Sequence, residues 1–190
     1  MSDSVFSQDG IILDACCIIN LYASGQMDGI LQSISKSVAV AAYVRDEEAL
    51  RIFGEPEGNV TRKYERIDLQ PFIDCGLLTV VLPETEAENI TFINFAAALG
   101  GDGEAITGAI AFHRNWSIGT DDRKAISFFA QNIPQLQVIT TPELIKDWVD
   151  TTHPSFEIIH ATLQRIRARA RYEPHPKHRL YDWWQKRKET

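Results

Sequence analysis

The sequence has few of the features that mark membrane, secreted or disulfide-rich proteins. No apolar run approaches the roughly 20 residues that cross a bilayer, and the start, Met1 to Val5, lacks the basic segment of a signal peptide. Among 190 residues there are only three cysteines. Cys16, Cys17 and Cys75 match neither a disulfide framework nor a CxxC metal motif. These absences predict a cytoplasmic protein that does not enter a membrane and whose cysteines are small core residues.

Several nucleotide and metal motifs are missing as well. The five histidines do not form an HExxH pattern, so they predict no zinc centre. The glycine-rich segment Gly100 to Gly103 does not match GxGxxG and follows a predicted helix rather than the first strand. No internal repeat or low-complexity tract is present. A dinucleotide-binding enzyme and a repeat protein are therefore disfavoured.

Charge is distributed unevenly along the chain. The net charge is −7, but residues 163–190 alone carry +6 and the remaining residues −13. The arginines of this basic tail, together with Tyr172, Trp183 and Trp184, suit RNA phosphates and bases. They suit equally the polar rim of an apolar stripe that docks on the acidic body or on a second subunit. We favour docking, because the acidic body is the nearer partner.

Alternating strand and helix patterns predict an α/β fold. Apolar runs indicate strands over 11–13, 37–42, 76–82, 117–120 and 137–140. Helical patterns lie between them, over 14–22, 27–35, 43–50, 84–99, 105–116 and 123–132, and further helices begin at Pro142 and Pro154. Gly54 to Gly58 is a predicted loop, and residues 61–68 fit either a helix or an insertion. We expect a three-layer α/β/α domain over 1–150 with a mostly parallel sheet, followed by a basic helical extension over 151–190.

Acidic residues recur where predicted strands end and the following helices begin. Parallel strands bring such ends to one edge of the sheet, which is where open α/β folds place their ligands. Clustered carboxylates repel one another, and a hard cation such as Mg²⁺ or Mn²⁺ relieves that repulsion. A metal held in this way can activate water against a phosphodiester. The five acids are Asp14, Glu47, Glu104, Asp121 and Asp122.

Four segments in this order resemble a PIN domain, the fold of many metal-dependent ribonucleases. They are Ile12-Leu-Asp14-Ala-Cys-Cys-Ile-Ile-Asn20-Leu, Val44-Arg-Asp-Glu47, Gly103-Glu104-Ala-Ile with Gly108-Ala-Ile-Ala, and Ile118-Gly-Thr-Asp121-Asp122-Arg123-Lys-Ala. The third and fourth are similar to a branch of prokaryotic PIN-like proteins. The resemblance covers roughly residues 9–145. It implies that Asp14, Glu104, Asp121 and Asp122 bind the metal, that Glu47 takes part in catalysis, and that Asn20 and Arg123 are candidates for substrate contacts.

The resemblance also implies a function. It predicts a Mg²⁺- or Mn²⁺-dependent endoribonuclease acting on RNA, alone or as a toxin held by an antitoxin, and by analogy a homodimer. PIN domains usually carry Ser, Thr or Asn after the first acid, whereas Ala15 and Cys16 supply neither a hydroxyl nor an amide. This departure motivates the alternative of an inactive PIN-like module that binds protein or RNA. A haloacid-dehalogenase-like phosphatase is a weaker third hypothesis, because Cys16 stands where that chemistry needs an aspartate.

Each candidate also has a structural interpretation. Asp14 and Glu104 can cap helices, and one member of the Asp121–Asp122 pair is expected to do only that. Glu47 lies in an acidic run that is typical of a solvated helix face, and Asn20 can serve as a helix C-cap. For Asp14 and Glu104 we favour the site role, whereas Glu47 is evenly balanced.

Overall fold

The fold is built on a central strand whose residues are apolar throughout. The chain was analysed as a computed structural model that describes residues 7–54 and 63–189. Strand β1, Gly10–Leu13, is buried along its whole length, as expected for a strand covered on both faces. Met1 to Val5 and most of the predicted Gly54 to Gly58 loop lie outside the described residues.

The described strands form a five-stranded sheet and a separate hairpin. Their bounds are β1 Gly10–Leu13, β2 Ser37–Ala41, β3 Arg51–Phe53, β4 Tyr64–Arg66, β5 Thr79–Val81, β6 Ser117–Gly119 and β7 Val138–Ile139. The sheet has the order β5-β2-β1-β6-β7 and every pairing in it is parallel. Strands β3 and β4 pair antiparallel. The predicted α/β fold with a parallel central sheet and C-terminal helices is confirmed.

Helices connect these strands. Their bounds are α1 Ala15–Ser24, α2 Met27–Ser33, α3 Gln70–Asp74, α4 Glu86–Leu99, α5 Asp102–Arg114, α6 Arg123–Asn132, α7 Thr141–Thr152, α8 Phe156–Arg165 and α9 Tyr181–Lys188. Gly25, the predicted stop of the first helix, adopts the left-handed conformation that ends α1. Within the described ranges, no helix is both long and apolar enough to cross a membrane.

Two helical predictions differ from the structure in detail. The segment predicted as a helix from residue 43 is a π-helical turn, Val44–Glu48, closed by an N–H of Ala49 that donates to the Val44 carbonyl at 2.8 Å. The helix predicted to begin at Pro154 is α8, and it continues as a second π-helical turn at Ile166–Ala170. The sequence did not predict the β3–β4 hairpin, although residues 64–66 fall in the segment left undecided. Three-residue strands are too short to show the alternation of apolar and polar residues that identifies a strand.

The basic tail packs on the body of the same chain. Ile159, Leu163, Ile166 and Trp184 are buried in the same hydrophobic core as β1. Arg169 is also buried, donates to the Phe53 carbonyl at 3.2 Å and forms an ion pair with Glu65. The tail therefore holds the β3–β4 hairpin in place.

Candidate metal centre

Asp14 lies where β1 ends and α1 begins. It is 2% exposed, and its Oδ1 accepts a hydrogen bond from the Ala15 N–H at 2.7 Å. Its Oδ2 accepts from the Thr120 hydroxyl at 3.0 Å and from the Cys16 thiol at 3.4 Å. The hydroxyl that the sequence lacks after Asp14 is thus supplied by Thr120, from the end of the neighbouring strand β6.

Glu48 and Glu104 approach Asp14 from two other elements. Glu48 ends the π-helical turn after β2, and its carboxylate lies against Gly103. A Cβ on Gly103 would overlap that carboxylate, so the approach needs a residue without a side chain. Glu104 lies in the first turn of α5, with its carboxylate folded against Gly101. Three carboxylates from three elements therefore lie close enough at one edge of the sheet to interact electrostatically.

The three charges act on one another. Burial, helped by the charge of Glu104, raises the pKa of Asp14 to about 6. Burial and then the charges of Asp14 and Glu104 raise the pKa of Glu48 to about 7. Within residues 7–54 and 63–189, no lysine or arginine forms an ion pair with any of the three. The cluster therefore has an uncompensated negative potential.

Glu48 occupies the place for which sequence analysis selected Glu47. Glu47 is exposed, whereas Glu48 is partly buried beside Gly103. The reason is the winding of the Val44–Glu48 turn, in which each hydrogen bond spans one residue more than in an α-helix. The wider turn changes which residue of the acidic run points at the cluster.

Asp121, at the end of β6, has a different environment. Its Oδ1 accepts from the Thr141 N–H at 2.9 Å and from the Tyr172 hydroxyl at 2.8 Å. Its Oδ2 accepts from the Asn20 amide at 2.9 Å, from the Thr141 hydroxyl, and from the Cys17 thiol at 3.7 Å. Burial raises the pKa of Asp121, and the donors from Thr141, Tyr172 and Asn20 act in the opposite direction. Both oxygens of this carboxylate are engaged by the protein.

The remaining predicted site residues have separate positions. Asp122 caps α6 by accepting from the Ala125 N–H at 2.8 Å, the capping role considered for one acid of the pair. Asn20 is buried and donates to Asp121 and Thr141 rather than facing solvent. Arg123 is exposed and lines a cavity of about 390 Å³ that also borders Asp121. Of the two substrate candidates, only Arg123 is accessible.

The adjacent cysteines belong to this edge of the sheet. A sulfur from Cys16, a sulfur from Cys17 and a carboxylate oxygen from Asp121 lie within 4.8 Å of one another, so these residues can hold a metal ion. Burial raises the pKa of Cys17 well above its usual value, which keeps it a thiol unless a metal displaces the proton. Cys17 is buried in the hydrophobic core and Cys16 packs against it, as predicted, whereas Cys75 is exposed, so the prediction of a core position is wrong for Cys75. Within the described residues, the carboxylates of Asp14, Glu48 and Glu104 do not converge as closely as the ligand atoms of Cys16, Cys17 and Asp121 do.

Sequence reasoning missed the residues that hold the acids. Thr120 and Thr141 each follow a strand of the sheet. Thr120 directly precedes Asp121, and this threonine beside a strand-end acid was the available signal, whereas Thr141 has no acid beside it in the sequence. Tyr172 gave no such signal, because it lies 51 residues from the Asp121 that it contacts.

No family model, curated protein or solved structure matches this chain.

Proposed function

We propose that this protein is a Mg²⁺- or Mn²⁺-dependent endoribonuclease. The observation that carries the proposal is the proximity of the Asp14, Glu48 and Glu104 carboxylates at one edge of the sheet, where burial first and mutual repulsion second raise the pKa of Asp14 and of Glu48. Such an arrangement is costly in the protein alone and favourable around a divalent cation. The resemblance of the surrounding segments to PIN domains adds the reaction class.

The ligand types match a hard cation. Asp14, Glu48 and Glu104 offer only carboxylate oxygens, which Mg²⁺ and Mn²⁺ prefer, and Mg²⁺ usually completes its coordination with water. These three residues would hold the ion, which when bound supplies an activated water and neutralises phosphate charge. Thr120 and the Ala15 N–H fix the orientation of the Asp14 carboxylate.

The test combines metal binding with cleavage. Wild-type protein is melted with and without millimolar Mn²⁺, and metal-dependent cleavage of a mixed RNA substrate is followed on gels. We expect Mn²⁺ to raise the Tm of the wild type, and we expect Asp14→Asn and Glu48→Gln to lose both the rise and at least about 100-fold of the cleavage rate.

Glu47→Gln is the matched control. It removes the same charge one residue away, on an exposed side chain, and should keep both the Tm rise and the cleavage. Wild-type protein that neither binds Mn²⁺ nor cleaves RNA would contradict the proposal. Equal losses in Glu47→Gln and Glu48→Gln would contradict the assignment of Glu48.

A second candidate function is an inactive PIN-like module that binds RNA or a protein partner, such as an antitoxin or a second copy. The number of donors to Asp121 favours it, because a metal bound at this carboxylate would have to displace or share hydrogen bonds that the protein already supplies. Under this candidate, RNA or a protein partner binds and the Mn²⁺ experiment shows no cleavage.

A further inference from the structure

The β3–β4 hairpin carries a stack of four planar groups. The Arg51 guanidinium carbon lies 4.4 Å from the centroid of the Tyr64 ring. The Tyr64 and Phe53 rings are 4.9 Å apart at an angle of 32°, and the Arg171 guanidinium carbon lies 4.0 Å from the centroid of Phe53. We call Arg51, Tyr64, Phe53 and Arg171 the aromatic ladder. It joins the hairpin to the basic tail.

Strand register explains why the aromatic ladder is basic. Phe53 pairs with Tyr64 and Arg51 pairs with Arg66, so these four side chains project from one face of the hairpin. Ile52 and Glu65 pair on the opposite face, where Ile52 is buried and Glu65 binds Arg169. The ladder face therefore carries arginines, and the only acid of the two strands lies on the other face.

Within the described parts of the chain, the arginines Arg51, Arg66 and Arg171 form no ion pair with an acid. Arg51 and Arg171 are both exposed, and Tyr64 is 57% exposed. Like charges gathered on one surface repel each other and attract an anion. Arg51 and Phe53 cover the faces of the Tyr64 ring, so the flat surfaces that the ladder offers to a base are the guanidinium planes at its two ends, Arg51 and Arg171.

The aromatic ladder lies beside the carboxylate cluster along the chain. Arg51 follows Glu48 by three residues, which span at most about 11 Å. At the other end, Arg171 precedes Tyr172, whose hydroxyl binds Asp121. Arg171 has φ of 56°, the left-handed conformation, and this turn ends the π-helical segment that carries Arg169. Both ends of the ladder thus connect to residues of the candidate metal centre.

We propose that the aromatic ladder binds single-stranded RNA, with a base stacked on the guanidinium plane of Arg51 or Arg171 at an end of the ladder and the phosphates beside these arginines and Arg66. The inference rests on the proposed function, because it makes the hairpin the part of the protein that delivers the substrate to the carboxylates. Stacking on an exposed guanidinium plane requires an unpaired base, so duplex RNA is a poor ligand.

The experiment measures binding without cleavage. A fluorescein-labelled 12-nucleotide RNA of random sequence is titrated with protein in EDTA, and fluorescence anisotropy gives the Kd. We expect Tyr64→Ala to weaken the Kd by about 5- to 100-fold, because Arg51 loses the ring that supports its guanidinium plane, and Tyr64→Phe to preserve the Kd, because that ring remains. Arg51→Gln should weaken binding and reduce the slope of log Kd against log salt by about 0.7.

Control variants come from elsewhere on the surface. Phe112→Ala removes another exposed aromatic ring, and Arg167→Gln removes an exposed arginine that is paired with Glu173. Both should bind RNA as the wild type does. Circular dichroism of every variant checks that the fold is intact, and Arg51→Gln keeps the test decisive if Tyr64→Ala unfolds.

The outcomes separate this inference from the proposed function. An unchanged Kd in both Tyr64→Ala and Arg51→Gln overturns the inference even when the protein cleaves RNA, and leaves an acidic protein as the occupant of the ladder. Equal affinity for duplex RNA overturns it as well. Ladder-dependent binding with no cleavage in Mn²⁺ supports the inference and counts against the nuclease.

Discussion

Asp14 and Asp121 end neighbouring strands of one sheet, yet the protein treats their charges in opposite ways. Asp14 has two donors to its Oδ2 and one to its Oδ1, and other carboxylates stand nearby. Asp121 has five donors from four residues and no acid among the main influences on its pKa. The first arrangement leaves a negative potential that an external cation can relieve. In the second arrangement, hydrogen-bond donors of the protein itself compensate the charge of Asp121.

The contrast separates two roles that a strand-end acid can have. An acid saturated by donors stabilises the structure, because removing it leaves several buried groups without an acceptor. An acid surrounded by acids lowers stability until a ligand binds, which is common at functional sites. Position in the sequence alone does not distinguish the two.

The largest expected effect concerns Asp121. Asp121→Ala leaves the Asn20 amide, the Thr141 N–H and the Tyr172 hydroxyl without their acceptor, and should lower the free energy of unfolding by about 3 kcal/mol. Urea denaturation in EDTA measures it. Asp122→Ala is the control and should cost about 1 kcal/mol, since it removes only a helix cap. Equal losses in the two variants would show that the additional donors to Asp121 add nothing to stability beyond the effect of a helix cap.

The second prediction is a dependence of the free energy of unfolding on pH. The pKa of Asp14 is raised from 3.8 to about 6 and that of Glu48 from 4.5 to about 7. At pH values between the unfolded and the folded pKa of each group, the folded protein therefore binds more protons than the unfolded chain. The free energy of unfolding in EDTA should therefore fall as pH rises, by on the order of 2 kcal/mol between pH 5 and pH 8. Asp14→Asn should flatten this dependence, whereas Glu47→Gln should not. A wild type whose stability rises over this interval would contradict the cluster.

A smaller loss of stability is expected when the Tyr172 hydroxyl in the tail is removed. Tyr172→Phe removes one of the donors to Asp121 and should cost about 1 kcal/mol in the same urea experiment. Tyr22→Phe serves as the control, because the Tyr22 ring packs on Phe72 and no hydrogen bond of its hydroxyl appears among the described contacts. A neutral Tyr172→Phe would show that Asp121 is less dependent on its donors than its geometry indicates.

Much of the sheet edge could be predicted from sequence, because its signals are local. An apolar run that ends in an acid and continues as a helix identifies both the strand and its last residue, as at Asp14 and at Asp121. Gly103-Glu104 could be placed at a helix start in the same way. These features need only the strand and helix periods and the rule that parallel strands share an edge.

The remainder depends on geometry that sequence does not encode locally. Asp46, Glu47 and Glu48 are equivalent by composition, and only the π-helical winding selects Glu48. Tyr172 reaches Asp121 because the tail folds back over the body. The aromatic ladder needs a short hairpin and a distant arginine to meet. In each case the deciding contact is one of tertiary structure.

Gly103 has a consequence for how this protein can vary in evolution. Any side chain at position 103 would displace Glu48, so we expect positions 48 and 103 to change together in evolution. Homologues that keep an acid at position 48 should keep glycine at 103, and homologues with a larger residue at 103 should have lost that acid. In an alignment of orthologues, positions 48 and 103 should therefore covary.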